Sequence, residues 1–342
     1  MNKVIGIITS FALASNILAG PVAAQTPSEG GQSSSTSTSI TGGISQTEPL
    51  HRPRIGLALG GGGSRGSAHV GVLKVLQEEH IPVDIIAGTS IGSVVGGFYA
   101  AGMPVDDISK LFINNTFTRE FIPLPYVRLA IEPTALMLRL FGYHPYDGLY
   151  YGWKFRGYVN KAIGKKKIEE LGIPYAAVVT DVVTGKSCRL TSGDVAYAMQ
   201  ASTAVPALKK PVQMGKQLFC DGGLINNLPV DHVREMGADF VIAVDIDEQL
   251  KDVPLDKFRG IGSMARQALR IQLATFDAPS AKMADAYIHP DTTGINLISF
   301  RKSDAQAGID AGIKAARAAI PEIKRKLAAI GVATTDENTG HQ

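Results

Sequence analysis

Ser90 stands in Gly88-Thr89-Ser90-Ile91-Gly92, between an apolar run at residues 83–87 and a small-residue stretch at 93–101. A G-x-S-x-G segment between a strand and a helix holds a serine hydroxyl out on a sharp turn, and the flanking glycines permit that turn. The same serine would also cap the following helix. One strand–helix unit upstream stands Gly60-Gly61-Gly62-Gly63-Ser64-Arg65-Gly66. Glycines between a strand and a helix let backbone N–H groups face outward at the positive end of the helix dipole. Gly61, Gly62 and Gly63 are therefore candidate donors to an oxyanion or a phosphate. No Gly-Lys-Ser/Thr follows, so the segment is not a P-loop. Asp84 lies roughly 20 residues on, which leaves a weak dinucleotide-binding alternative.

A serine needs a base. Of the 7 histidines, His51 and His341 fall in polar flanking segments. His69, His80, His144, His232 and His289 have no catalytic motif around them. Asp221 is better placed: residues 217–220 read as a strand, and Asp221-Gly222-Gly223 stops it, aiming an acid out of the strand end. A plain turn residue would look the same. An order of Ser90, Asp221 and then His232 or His289 formally satisfies a Ser-His-Asp esterase as well.

These groups need a scaffold. Apolar runs at 54–59, 83–87, 178–181, 188–190, 217–220 and 240–246 read as strands, the third and fourth joined by a Thr184-Gly185 turn. Helical spacing follows at 68–79 and 93–101, about 230–236, 262–285 and 304–329. This alternation predicts an α/β fold with a central sheet covered by helices. Residues 111–152 are rich in aromatic and apolar side chains without clean periodicity. They fit a core helix with two loops better than an apolar lid.

The three motifs together resemble the patatin-like phospholipase family in its bacterial branch, over roughly residues 53–330. That family carries a glycine-rich loop, a G-x-S-x-G serine and a D-G-G or D-G-A aspartate, in that order. The stretch Ala201-Ser202-Thr203-Ala204-Val205-Pro206 also resembles the family's block before the aspartate strand. The loop lacks the leading Asp of the plant version, which leaves the backbone donors in place. The resemblance implies a three-layer α/β/α fold with a mostly parallel sheet and a serine–aspartate dyad. Ser90 would be the nucleophile and Asp221 the general base, with Gly61, Gly62 and Gly63 forming the oxyanion hole. Gly66, Gly88, Gly92, Gly222 and Gly223 would support the turns, and Arg65 would brace the loop or meet a lipid phosphate. The implied substrate is a phospholipid or lysophospholipid at a lipid surface, with no cofactor or metal. A non-catalytic lipid-binding module is the alternative from another class.

The chain has 342 residues, 45% hydrophobic and 19% charged, with net charge +3. That near-balance gives no reason to expect a nucleic-acid partner. Oligomeric state is not legible. No CxxC or HExxH pattern appears, and the 2 cysteines, Cys188 and Cys220, are expected to be free thiols. Lys3, the apolar run at 4–18 and Pro21-Val22-Ala23-Ala24 read as a secretory signal at residues 1–24, so export to the periplasm or beyond is expected. Residues 25–52 read as a disordered Ser/Thr/Gly-rich linker, 53–330 as the catalytic domain and 331–342 as a flexible tail.

Overall fold

The computed structural model describes residues 52–121, 146, 148–248, 250, 252–260 and 263–334. The expected signal and linker, and Tyr126, Leu136, Met137, Leu138, Leu140, Phe141 and Tyr143 of the aromatic segment, lie outside the described residues. Val332 is buried, so packing extends past the expected boundary at residue 330.

Eight strands form one mixed sheet: β1 (Ile55–Leu59), β2 (Ile85–Thr89), β3 (Tyr175–Asp181), β4 (Lys186–Leu190), β5 (Val212–Met214), β6 (Gln217–Asp221), β7 (Phe240–Val244) and β8 (Ala286–Ile288). Strands β3, β2, β1, β7 and β8 run parallel in that order, with β8 at one edge, while β4, β5 and β6 pair antiparallel. Strand β1 is buried along its whole length, as an apolar run in a doubly covered parallel sheet must be. Its alternate residues serve two cores. Ile55, Leu57 and Leu59 face one, and Ala58 faces the other.

The first core is closed by α1 (Ser67–Glu78), α2 (Ile91–Ala100), α3 (Val105–Ile113), α4 (Thr116–Phe121), α5 (Trp153–Ile163), α6 (Val195–Ser202) and α9 (Lys302–Ala329). The second is closed by α7 (Val230–Glu235) and α8 (Ser263–Met283). The result is the three-layer α/β/α arrangement. Phe112 and Phe117 belong to the first core, with Phe121 packed against it, and Tyr150 is buried, so these parts of the aromatic segment follow the core reading, whereas Tyr146 and Tyr151 are exposed. Cys188 and Cys220 are both free.

The register of β3 matters most for the site. Strand β4 covers residues 177–181 along one edge of β3. The other edge is shared: β2 pairs up to Thr89↔Val178, and β6 begins at Asp221↔Val179. Two strand ends, 132 positions apart in the chain by their terminal residues Thr89 and Asp221, therefore meet head-on beside neighbouring residues of β3.

Candidate active site

That meeting point brings Ser90, one residue past β2, against Asp221, the last residue of β6. Ser90 Oγ donates to Asp221 Oδ2 at 2.7 Å. Ser90 sits at φ 52°, ψ −120°, a left-handed conformation unusual for a residue with a side chain and one that stores on the order of 1–3 kcal/mol. The surroundings enforce it. A Cβ on Gly88 would lie 2.4 Å from the Gly92 backbone, and one on Gly92 would lie 2.2 Å from Leu59 O, so only glycine lets the turn close. Ser90 N–H donates to Ser202 Oγ at 2.9 Å, and that hydroxyl in turn donates to Val178 O at 2.7 Å. Ser93 Oγ donates to Ser90 O at 2.6 Å. Ser90 caps α2 with no side-chain hydrogen bond to the helix, which leaves its hydroxyl to Asp221.

Asp221 is 7% exposed. Burial raises its carboxyl to about 6, while hydrogen bonds from Ser90 Oγ and Gly223 N–H and the charge of Lys209 pull it down. Gly223 N–H donates to Asp221 Oδ1 at 2.9 Å, so the first glycine pair after the acid orients it. Gly222 packs so tightly that a Cβ would lie 2.6 Å from Val178 O.

In the glycine loop the residues divide. Gly60 N–H donates to Val244 O at 3.0 Å and Gly61 N–H to Asn227 O at 3.1 Å. The expectation that Gly61 turns its N–H toward the serine is therefore corrected: that donor is spent on holding the loop to the segment after Asp221. Gly62 and Gly63 N–H groups have no backbone acceptor among the described residues. Gly63 has φ 59° and lines a pocket with Ser64, Ser90, Ile91, Phe117, Thr118, Phe121, Thr203, Leu297 and Ile298. The pocket is mostly apolar and opens on the serine.

Arg65 points away from this pocket. It is buried, with Nε donating to Ile295 O at 2.9 Å and its guanidinium facing Asp247 at 3.5 Å and Glu248 at 2.8 Å. It braces the loop, and Gly66 beside it gives way to Ile91, whose side chain occupies the space of a Cβ. His69 is fully buried, its Nε2 paired with Gly60 O at 2.8 Å, and burial drops the imidazole to about 4.

The two histidines of the alternative triad are engaged elsewhere. His232 Nε2 pairs with Ser187 Oγ at 2.8 Å. His289 Nδ1 lies 2.9 Å from Tyr287 Oη and 3.3 Å from Asp245 Oδ2. Neither reaches Ser90 or Asp221, and the serine hydroxyl is bonded to the aspartate directly.

Three features escaped the sequence reading. Lys209 is 1% exposed. Its ammonium donates to Thr203 Oγ1 at 3.1 Å and lies 3.6 Å over the Phe121 ring and 4.6 Å over that of Phe155. Burial lowers it well below the ordinary lysine value, with Asp221 acting in the other direction. Asn227 links the glycine loop to Asp247 and Asp277, its Nδ2 donating to both at 3.0 and 2.9 Å. Asp245, Asp247 and Asp277 form a buried acidic cluster behind the loop, with one oxygen from each within 4.8 Å of the others. Asn226-Asn227 after Asp-Gly-Gly was a visible signal for the second; Lys209 had none.

A sequence model described as patatin-like phospholipase matches residues 57–234, a little over half of the chain. The chain belongs to the patatin-like phospholipase family. Among family relatives, the lysophospholipase NTE1 of Pyricularia oryzae is 32% identical over 203 residues, covering 58% of this chain and 12% of that protein. An NTE family protein of Mycobacterium bovis is 34% identical over 195 residues, 57% of this chain and 49% of its own length. The human patatin-like phospholipase domain-containing protein 6 is 34% identical over 197 residues, 57% of this chain and 13% of its own. This patatin-like chain thus spans half or less of the length of these relatives. Among solved structures, VipD from Legionella pneumophila aligns with TM-score 0.46 at 15% identity, covering 80% of this chain and 67% of that one.

Proposed function

We propose that this chain hydrolyses fatty-acyl esters of phospholipids or lysophospholipids through a Ser90–Asp221 dyad. The observation that carries the reading is the 2.7 Å hydrogen bond from Ser90 Oγ to Asp221 Oδ2 on a strained elbow at the mouth of an apolar pocket. Ser90 Oγ attacks the ester carbonyl carbon as its proton passes to Asp221. The carbonyl oxygen takes up negative charge, and the N–H groups of Gly62 and Gly63, which have no backbone acceptor among the described residues, are assigned as its donors. Asp221 then returns the proton to the departing alcohol oxygen, leaving an acyl-serine. Water, deprotonated by the same carboxylate, attacks that acyl carbon; the Oγ–carbon bond breaks, Ser90 Oγ takes the proton back from Asp221, and the fatty acid is released. A base near 6 is ionised at neutral pH yet still close enough in proton affinity to accept from a hydroxyl in the transition state. Lining residues such as Phe117, Phe121, Ile91 and Leu297 suit an acyl chain.

The family relation and the apolar lining support a lipid ester. Fatty-acid release from a panel of defined phospholipids, lysophospholipids and neutral esters tests it, with Ser90→Ala as control. Equal release by that variant would overturn the reading. Export is part of the proposal: the pattern ending in Val22-Ala23-Ala24 gives a mature chain starting near Gln25. N-terminal sequencing of the protein recovered from its producing cells checks this, and a fully active chain retaining Met1 would contradict it.

A further inference from the structure

Trp153 is the one tryptophan of the chain, and it is 62% exposed at the start of α5. A single exposed ring is ordinary, whereas a group of neighbouring exposed rings marks a contact surface. It is stacked on Tyr151, ring centroids 4.6 Å apart and 13° from parallel, and Tyr151 and Tyr146 are exposed as well. Cations frame the rings. Lys210 Nζ lies 5.3 Å from the Tyr151 ring centre, and Lys154 is an exposed neighbour of Trp153 on α5. Lys161, also exposed, follows Lys154 by two helical turns on the same helix face. Glu120 is their acidic neighbour, 3.4 Å from Lys154.

This aromatic group adjoins the pocket. The Phe155 ring, two residues after Trp153, meets the Phe121 ring edge-on at 5.9 Å, and Phe121 lines the pocket with Ser90. Tyr150 Oη donates to Phe121 O at 2.6 Å. Tyr150 also bridges to Lys209, whose neighbours Val205 and Thr203 lead back to the pocket wall.

We propose that Tyr146, Tyr151 and Trp153, framed by Lys154, Lys161 and Lys210, form the face by which the chain docks on an anionic lipid bilayer. Tryptophan and tyrosine rings sit at the headgroup level of a bilayer, and lysines beside them are attracted to anionic headgroups. Three partly exposed rings fall short of the roughly 800 Å² per partner of a standard protein interface, whereas a bilayer needs no matching partner surface. Docking there would bring the Phe121 side of the pocket toward the lipid, so an acyl chain could enter with little exposure to water. The inference deepens the lipid-hydrolase reading and rests on it for that last step alone.

The test uses the full chain and vesicles of phosphatidylcholine, with or without phosphatidylglycerol. Tryptophan emission and vesicle flotation are read together, and emission here reports on Trp153 alone. Emission typical of water is expected without lipid, with a shift to the blue and flotation on the anionic vesicles, both reversed by salt. Trp153→Ala should fail to float, and Lys154→Gln and Lys161→Gln should each weaken binding about fivefold. All three should keep the parent's activity on a soluble short-chain ester while losing activity on vesicles. Emission unmoved by vesicles, or Trp153→Ala floating like the parent, would overturn the docking face. A blue shift that grows with protein concentration and no lipid would assign the face to a second copy of the chain and overturn it too. Ser90→Ala should bind vesicles like the parent: if it does but the parent hydrolyses no ester, the catalytic reading fails and the docking face stands.

Discussion

Two groups of buried carboxyls lie on either side of the glycine loop. In front, Asp221 holds the hydroxyl of Ser90, which lines the pocket. Behind, Asp247 and Asp277 accept from the Asn227 amide, Asp247 also faces the Arg65 guanidinium, and Asp245 lies beside them. Burial raises Asp221 to about 6, and raises Asp247 to about 7 and Asp277 to about 8, each of the latter pushed further by its acidic neighbours. Asp247 and Asp277 are thus the more perturbed, while Asp245, held by Tyr287 and His289, is lowered; among the described residues neither Asp247 nor Asp277 accepts from a hydroxyl or thiol. A displaced proton affinity marks burial and crowding; it marks catalysis only where the carboxyl also meets a group to be deprotonated. The rear cluster has a different use. Through Asn227, whose backbone oxygen accepts Gly61 N–H, it fixes the loop that supplies the donors.

The largest contrast is in activity. Asp221→Asn and Ser90→Ala should each lower kcat/KM by about 10³-fold or more, whereas Asp277→Asn, which keeps a hydrogen-bonding partner for Asn227, should cost no more than about tenfold. Steady-state hydrolysis of a soluble ester separates them. A loss at Asp277 as deep as that at Asp221 would erase the distinction between front and rear.

Gly62→Ala probes the loop between them. Gly62 has φ 156°, and an added Cβ would lie 2.9 Å from the flexible end of Ile246. The strain should tilt its N–H and lower kcat by about 10²-fold, comparable with losing one oxyanion donor, with KM moved less. A change in KM alone would make the loop a headgroup site. Gly63 is the poorer probe, since a Cβ there would lie 2.2 Å from the fixed backbone oxygen of Leu297.

A further contrast is read in stability and not in rate. Asp277 folds with its proton affinity raised from 3.8 to about 8. The folded state then binds more protons than the unfolded one between those values, so this group's contribution to stability falls as pH rises from about 4 to about 8 and is constant above. Asp277→Asn removes that slope. The variant should gain on the parent across this window, by about 1.4 kcal/mol for each unit of the shift that is realised. Urea unfolding at several pH values reads the difference, and parallel curves would refute a raised Asp277.

Sequence made the front of the site readable because each of its parts is local. The Gly88–Gly92 turn, the glycine loop and the acid at the end of β6 each sit within one strand and its following turn, where residue type decides backbone geometry. Strands β1, β2, β3, β4, β6 and β7 and helices α1, α2, α7, α8 and α9 followed for the same reason: β1 is continuously apolar, and α1 has its apolar residues at helical spacing; β5 and β8, three residues each, and helices such as α3 and α6 were not read. The rear cluster was not readable, because Arg65, Asn227, Asp247 and Asp277 come together only after the sheet is assembled. The commitment of Gly61 N–H to Asn227 O, across 166 positions, was hidden for the same reason. Ser202, which receives Ser90 N–H, lies in the Ala201–Pro206 block, whose residue types do not announce that contact, and Lys209, beside two phenylalanine rings, stands in a segment with no motif.

The central claim is that Asp221 takes the proton of Ser90. Covalent labelling by a fluorophosphonate, followed by mass spectrometry across pH, tests it most directly, since the reagent needs only an activated serine. The account predicts one adduct, on Ser90, formed at a rate that rises through about pH 6 as Asp221 ionises and is level above. Asp221→Asn should label slowly at every pH. An adduct at another residue, or an Asp221→Asn protein that labels as fast as the parent with the same pH dependence, would contradict it.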